Sequence, residues 1–300
     1  MKKLRVRIMQ ITHTVTSDEE GRTAEGLLRS KLGLSTTMMR KLKKNSGVHL
    51  NNSPIYLKQR VQKGDLLSFN IELQSNTTIH PQPIPLNIIH EDQHLLILKK
   101  PPNMLVHPLK HEPYNTLANA VIYYYNQNNI EGTFHPISRL DRNTSGLVVI
   151  AKNPYASNLL CKQLHTADFQ REYAAVVHGQ IKQRQAIIAL PIARCEDSAV
   201  KHRVHQSGRR AVTHYSVVSS LHNKALVQIR LETGRTHQIR VHMSHIGHPL
   251  VGDDLYGGRS EGINRQALHC CRVSLTHPVT GSKLQFNSPL PRDMQRLLKL

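Results

Sequence analysis

The sequence predicts an α+β fold, with a large unit on a mainly antiparallel, mixed sheet and a smaller α/β unit in front of it. Three observations carry this. From Ile88 onward strand-like segments outnumber helical ones, and their connections are too short for repeated βαβ units. Residues 75–87, SNTTIHPQPIPLN, hold three prolines and no period, which marks a linker. Ahead of them, two short helical stretches lead into compact strand-like pieces. The expected organisation is 1–74 as the front unit, 75–87 as the linker and 88–300 as the larger unit. No internal repeat is visible.

Taken in order, residues 1–16 alternate apolar and basic side chains and read as an amphipathic strand. Arg22 to Leu32 has helical spacing at Leu27, Leu28 and Leu32, with Gly33 as the stop. Ser35 caps a second helix through Met38, Met39 and Leu42, which leaves Arg40, Lys41, Lys43 and Lys44 on its exposed side. VHLN, a turn at Asn52-Ser53-Pro54, IYL and LLSFNIEL then read as strands around that turn. Beyond the linker, HLLILKK, GLVVIAK, REYAAVVHG, HYSVV and ALVQIRLE read as strands. TLANAVIYYYN, ASNLLCKQLHT and THQIRVHMSHI read as helices.

Charge narrows the class of partner. Lys plus Arg number 40 against 20 for Asp plus Glu, a formal net charge of +20, and the basic residues recur along the whole chain. That balance suits a folded surface facing a polyanion, with nucleic acid as the leading candidate. The four cysteines show no CxxC spacing and read as reduced thiols of a cytoplasmic protein. The basic start lacks a continuous apolar region, and runs such as LVVIA at 147–151 are far too short to span a membrane.

The segment richest in chemistry is ISRLDRNTSGLVVIAKN, residues 137–153. Here Asp141 lies between Arg139 and Arg142, just before a turn and an apolar strand. Flanking guanidiniums favour an ionised carboxylate, and such a group can serve as nucleophile or base. By itself this is equally the pattern of a surface salt-bridge loop. Three further segments bear on it: ILKKPPNMLVHP with NTLANA, then REYAAVVHG, then LETGRTHQIRVH running into GHPLVGDDLYG. Together, in this order and across residues 88–278, they resemble the motifs of the RluA/RluD-type family of RNA pseudouridine synthases. The front unit, over residues 20–73, resembles an S4-type RNA-binding domain. That match rests on Leu34-Ser35, the basic second helix, Gly47-Val48, Leu50-Asn51, and Val61 with Lys63-Gly64-Asp65.

The family resemblance implies isomerisation of specific uridines to pseudouridine by a monomer acting on structured RNA, with no cofactor, no metal and no membrane partner. Ribosomal RNA of the large subunit is the expected substrate and transfer RNA the alternative. Asp141 takes the family's catalytic aspartate, Tyr173 the tyrosine that packs on the base, and Arg235 the arginine paired with the aspartate. Expected RNA contacts are Arg40, Lys41, Lys43 and Lys44 in front, and Arg139, Arg142, Lys152 and Arg240 around the site. Ser138, Asn143 and the Lys100-Pro101-Pro102-Asn103 turn depart from the family pattern, which bears on the shape of the RNA-facing loops. Two rivals compete with this reading. His237, His242, His245 and His248 cluster as metal ligands do, but no HExxH is present. A non-catalytic RNA-binding or ribosome-assembly factor would sooner have lost Asp141, Tyr173 or Arg235.

Overall fold

The computed structural model describes residues 7–73 and 78–299. The first six residues of the expected strand 1–16, and residues 75–77 of the expected linker, lie outside them. In the front unit, β1 (Arg7–Thr14) leads to α1 (Ala24–Ser30) and α2 (Thr36–Lys44). Then come β2 (Val48–Leu50), β3 (Ser53–Pro54) and β4 (Leu66–Leu73), forming a sheet of order β1-β4-β2-β3. The caps are local. Thr23 accepts from Gly26 N at 3.1 Å and Ser35 from Met38 N at 3.3 Å, each satisfying a donor the helix start leaves free. The expected turn at 52–54 sits one residue earlier. Asn51 and Asn52 take φ of 50° and 66°, a left-handed pair that asparagine tolerates and a tight hairpin requires, so Ser53 and Pro54 become strand.

Leu27, Leu28, Leu67 and Phe69 are fully buried in the front core. Burying each stabilises by roughly 1.5–3 kcal/mol against leaving it exposed. Residues 78–87 contain no helix or strand. They run beside the next helix, where Asn119 Nδ2 donates to His80 O at 2.7 Å.

The larger unit begins with β5 (Ile88–Glu91), β6 (Leu95–Lys100), α3 (Leu117–Gln127), β7 (His135–Pro136), β8 (Ser145–Ala151) and α4 (Pro154–Gln163). It continues through β9 (Gln170–His178), β10 (Gln185–Ala189), β11 (Ile192–Arg194), β12 (His202–Val204), β13 (Val212–Leu221) and β14 (Lys224–Leu231). α5 (Gln238–His245), β15 (Leu268–Thr276), β16 (Lys283–Asn287) and α6 (Arg292–Arg296) complete it. The main sheet runs β10-β13-β14-β9-β15-β8-β6-β5, with β16 on β15 and β7 on β8. Its pairs are antiparallel except β8 with β15, so the sheet is mixed and mainly antiparallel as expected. Every residue of β8 is buried, which is why its sequence reads as an unbroken apolar run and not as an alternation.

Helix α4 joins the two units. Its Tyr155 is 3 % exposed within the front core, with its ring set edge-on to Phe69 at 5.4 Å between centroids. Asn158 Nδ2 and Lys162 Nζ each donate to Gly33 O at 2.8 Å.

Candidate active site

Asp141 stands in the loop that enters β8, and the residues after it fix that loop from below. Thr144 N donates to Asp141 O at 3.0 Å, closing a tight turn. Ser145 Oγ meets His269 Nδ1 of β15 at 2.8 Å, and His269 Nε2 meets Ser288 Oγ at 3.1 Å. Burial, with Lys99 nearby, lowers the His269 pKa to about 4, so the ring bridges the two serines as a neutral imidazole. Gly146 has φ +117°, and a Cβ there would lie 2.3 Å from Cys270 O. Only glycine lets β8 and β15 approach so closely.

On the other side, Lys100 is fully buried, and its Nζ donates to the carbonyls of Pro101, Met104 and Arg142 at 2.8, 2.8 and 2.9 Å. Burial pulls its pKa down to about 7, and the neighbouring Asp141 opposes that. The Thr-Ser-Gly run and the buried lysine thus hold the backbone on either side of the carboxylate.

The arginine that meets Asp141 is Arg240, not Arg235. Arg240 Nη1 lies 3.3 Å from Asp141 Oδ2, while its Nε and Nη2 donate to the buried Asp253 carboxylate at 2.7 and 2.8 Å. Its guanidinium also lies 4.9 Å from the centre of the Tyr256 ring. Arg235 precedes the helix on an exposed stretch, and its Nε donates to Arg210 O at 2.9 Å. The reason for the exchange is the helix start. His237 takes a left-handed φ of 55°, α5 begins only at Gln238, and Arg240 therefore falls on its buried face.

Tyr173, two residues into the inward face of β9 from Arg171, lines the same cleft with only 4 % of its surface exposed. Burial raises its pKa, and the Arg171 guanidinium beside it works in the opposite direction. The cleft has a volume of about 1510 Å³. Arg139, Arg142, Arg171, Arg210, Arg230 and Arg235 line it, together with Asp141 and Glu232.

Two of the expected RNA contacts are committed to protein partners. Lys152 is 5 % exposed, and its Nζ reaches Glu91 Oε1 and Asp92 O, both at 2.7 Å, so it ties down the β5–β6 turn. Arg240 is spent on Asp253 and Asp141. Arg142 lies at the cleft but grips Glu112 with both terminal nitrogens, at 2.7 Å through Nη1. Arg139 is exposed at the rim, and Arg40, Lys41, Lys43 and Lys44 are all exposed on α2. The histidines weighed as a rival metal site form no ligand cluster among the described residues. His242 bonds Thr213 Oγ1 and Leu190 O, His248 bonds His178 O, and His237 faces the cleft. Sequence reasoning gave no site role to Lys100, Asp253 or Tyr256 and weighed His237 only as a metal ligand, although each lies inside a motif already singled out.

A sequence model described as RNA pseudouridylate synthase matches residues 94–245, just over half of the chain and most of the cleft. The chain belongs to the RNA pseudouridine synthase family. Among its relatives is an uncharacterised RNA pseudouridine synthase of Bacillus subtilis, YjbO, 40 % identical over 271 residues that cover 90 % of this chain and 96 % of that one. The ribosomal large subunit pseudouridine synthase D of Escherichia coli K12 is 37 % identical over 257 residues, covering 81 % of this chain and 78 % of its own. Human RNA pseudouridylate synthase domain containing 1 shares the fold, with a TM-score of 0.58 at 22 % identity over 73 % of this chain and 95 % of that one. The protein is an RNA pseudouridine synthase, an isomerase. No helix among the described residues is long and apolar enough to cross a membrane.

Proposed function

We propose that this pseudouridine synthase uses Asp141 as its catalytic carboxylate, on uridines of large-subunit ribosomal RNA, and without a cofactor. One observation carries the reading. Asp141 faces an arginine-lined cleft beside a guanidinium that Asp253 holds from the opposite side. Isomerisation breaks the C1′–N1 bond of uridine, turns the freed uracil and joins its C5 to C1′; C5 then loses its hydrogen as a proton and N1 gains one, so the atoms balance. No electrons or groups enter or leave, so side chains suffice. Asp141 attacks C1′ or takes the C2′ proton, and Arg240 aims it in either case. Tyr173 offers its ring to the uracil from the cleft wall. Reaching the base requires flipping it out of its stack, at a few kcal/mol that pocket stacking and phosphate contacts offset. Arg139 at the rim and the basic face of α2, in a front unit read as an S4-type domain, supply such phosphate contacts. The RNA class follows the name of the Escherichia coli relative.

Mapping pseudouridines in cellular RNA with the gene deleted tests the substrate. Sites in large-subunit ribosomal RNA should vanish, returning with wild type and not with Asp141→Ala. Loss confined to transfer RNA would overturn the ribosomal assignment.

A further inference from the structure

His237 sits beside the carboxylate of Asp141, and its hydrogen-bond partners point to one tautomer. Its Nε2 lies 3.9 Å from Asp141 Oδ2, too far for a hydrogen bond, and its Nδ1 lies 2.9 Å from Tyr256 Oη. That hydroxyl oxygen already accepts from His202 N at 3.0 Å. Burial pushes the Tyr256 pKa up to about 12, so the hydroxyl keeps its own proton, and among the described residues the acceptor it meets is Nδ1. Burial also lowers the pKa of His237, which favours the neutral ring. A neutral imidazole that accepts at Nδ1 carries its hydrogen on Nε2. The rings of His202 and Tyr256 stand edge-on to it at 5.6 Å each and hold its plane. The backbone supports the same placement. His237 adopts φ 55°, a conformation few side chains other than glycine take and one that recurs where a site dictates the geometry.

An N–H donor beside Asp141 therefore lines the cleft, with no hydrogen-bond acceptor for it among the described residues. We propose that His237 donates its Nε2–H to the 2′-hydroxyl of the target ribose and so reads the substrate as RNA at the reacting sugar. This rests on Asp141 acting at that ribose. In-line attack on C1′ comes from the face opposite the base, which is the face that carries the 2′-hydroxyl. Removal of a ribose proton takes place at C2′, the carbon that bears the same hydroxyl. On both routes that oxygen is the strong acceptor nearest the carboxylate, and a donor some 3.9 Å from Oδ2 can reach it. Tyr256, which aims the ring, is a positioning residue.

The test is a cycle of enzyme and substrate changes, read as single-turnover rates on an RNA with ribose or 2′-deoxyribose at the target uridine. Asn tolerates the left-handed backbone, so His237→Asn keeps the fold while removing the donor at Nε2. It should slow the ribose substrate about tenfold, the worth of one good hydrogen bond. Removing the 2′-hydroxyl should then slow wild type about tenfold more than it slows the variant. His237→Gln, whose amide nitrogen falls near Nε2, should recover part of the rate. Tyr256→Phe should weaken the dependence on the 2′-hydroxyl in the same direction, with the histidine left in place. Equal slowing of wild type and His237→Asn on the deoxy substrate would overturn the proposal. If instead Asp141→Asn retained the wild-type rate on the ribose substrate, the reading of the carboxylate itself would fail.

Discussion

At the scale of single residues the site is a chain of charges, Asp253 to Arg240 to Asp141, and its order of burial is informative. The Asp253 side chain is fully buried while that of Asp141 is 28 % exposed, so the inner acid orients the arginine and the outer one is open to the cleft. Asp253→Asn should thus lower kcat by on the order of tenfold to a hundredfold, the range seen for supporting groups behind reactive ones, with KM for RNA little changed. A change confined to KM would argue that the pair serves binding alone. The sequence pointed to Asp141 and Tyr173 because each sits in a dense local motif. It favoured Arg235 over Arg240 because both arginines occupy one motif, and only the left-handed turn at His237 decides which of them is carried inward. Asp253 was not read as a partner because it lies 13 residues beyond Arg240 and meets it only through the fold.

At the scale of elements, β6, β8, β9, β13 and β14 and helices α3, α4 and α5 were legible from their periods, whereas β15 at the centre of the main sheet and the flanking β5, β7, β10 and β16 were not read. The hairpin shifted by one residue because Asn51 and Asn52 share the turn. Lys152 read as a cation free for RNA, yet β8 carries it inward to the carboxylate at Glu91. The short front unit depends on a buried acid in the same way. Burial alone would raise Glu19, but the Thr16 N–H and His13 override it and hold its pKa at about 2, below the ordinary 4.5. A lowered carboxylate stabilises the fold above pH 4.5 and loses that contribution as pH falls toward 2. Acid unfolding of the full chain should therefore steepen over that interval, and Glu19→Gln should flatten it. An identical pH dependence in both proteins would remove Glu19 from this role. Gly146→Ala should cost about 1–3 kcal/mol from the backbone alone, read as a lowered midpoint of urea unfolding. An unchanged midpoint would show that β8 and β15 can separate freely.

For the whole molecule, a net charge of +20 and a cleft lined by arginines bias both units toward RNA. Replacing Arg40, Lys41, Lys43 and Lys44 by Gln should raise KM with kcat retained. The log–log salt dependence of binding should become shallower by about 0.7–0.9 for each phosphate that the variant no longer neutralises. An unaltered slope would take α2 off the RNA. The relation between the units was the least legible feature of the sequence. Nothing in ASNLLCKQLHT announces that Asn158 and Lys162 grip the Gly33 carbonyl, since that contact joins positions 125 and 129 residues apart. The proposed chemistry turns on one carboxylate, and one comparison tests it most directly. Wild type and Asp141→Asn should bind the same uridine-labelled ribosomal RNA fragment with equal affinity. Under single turnover the wild type should form pseudouridine at least about a thousandfold faster. Comparable product from Asp141→Asn would contradict the assignment of Asp141.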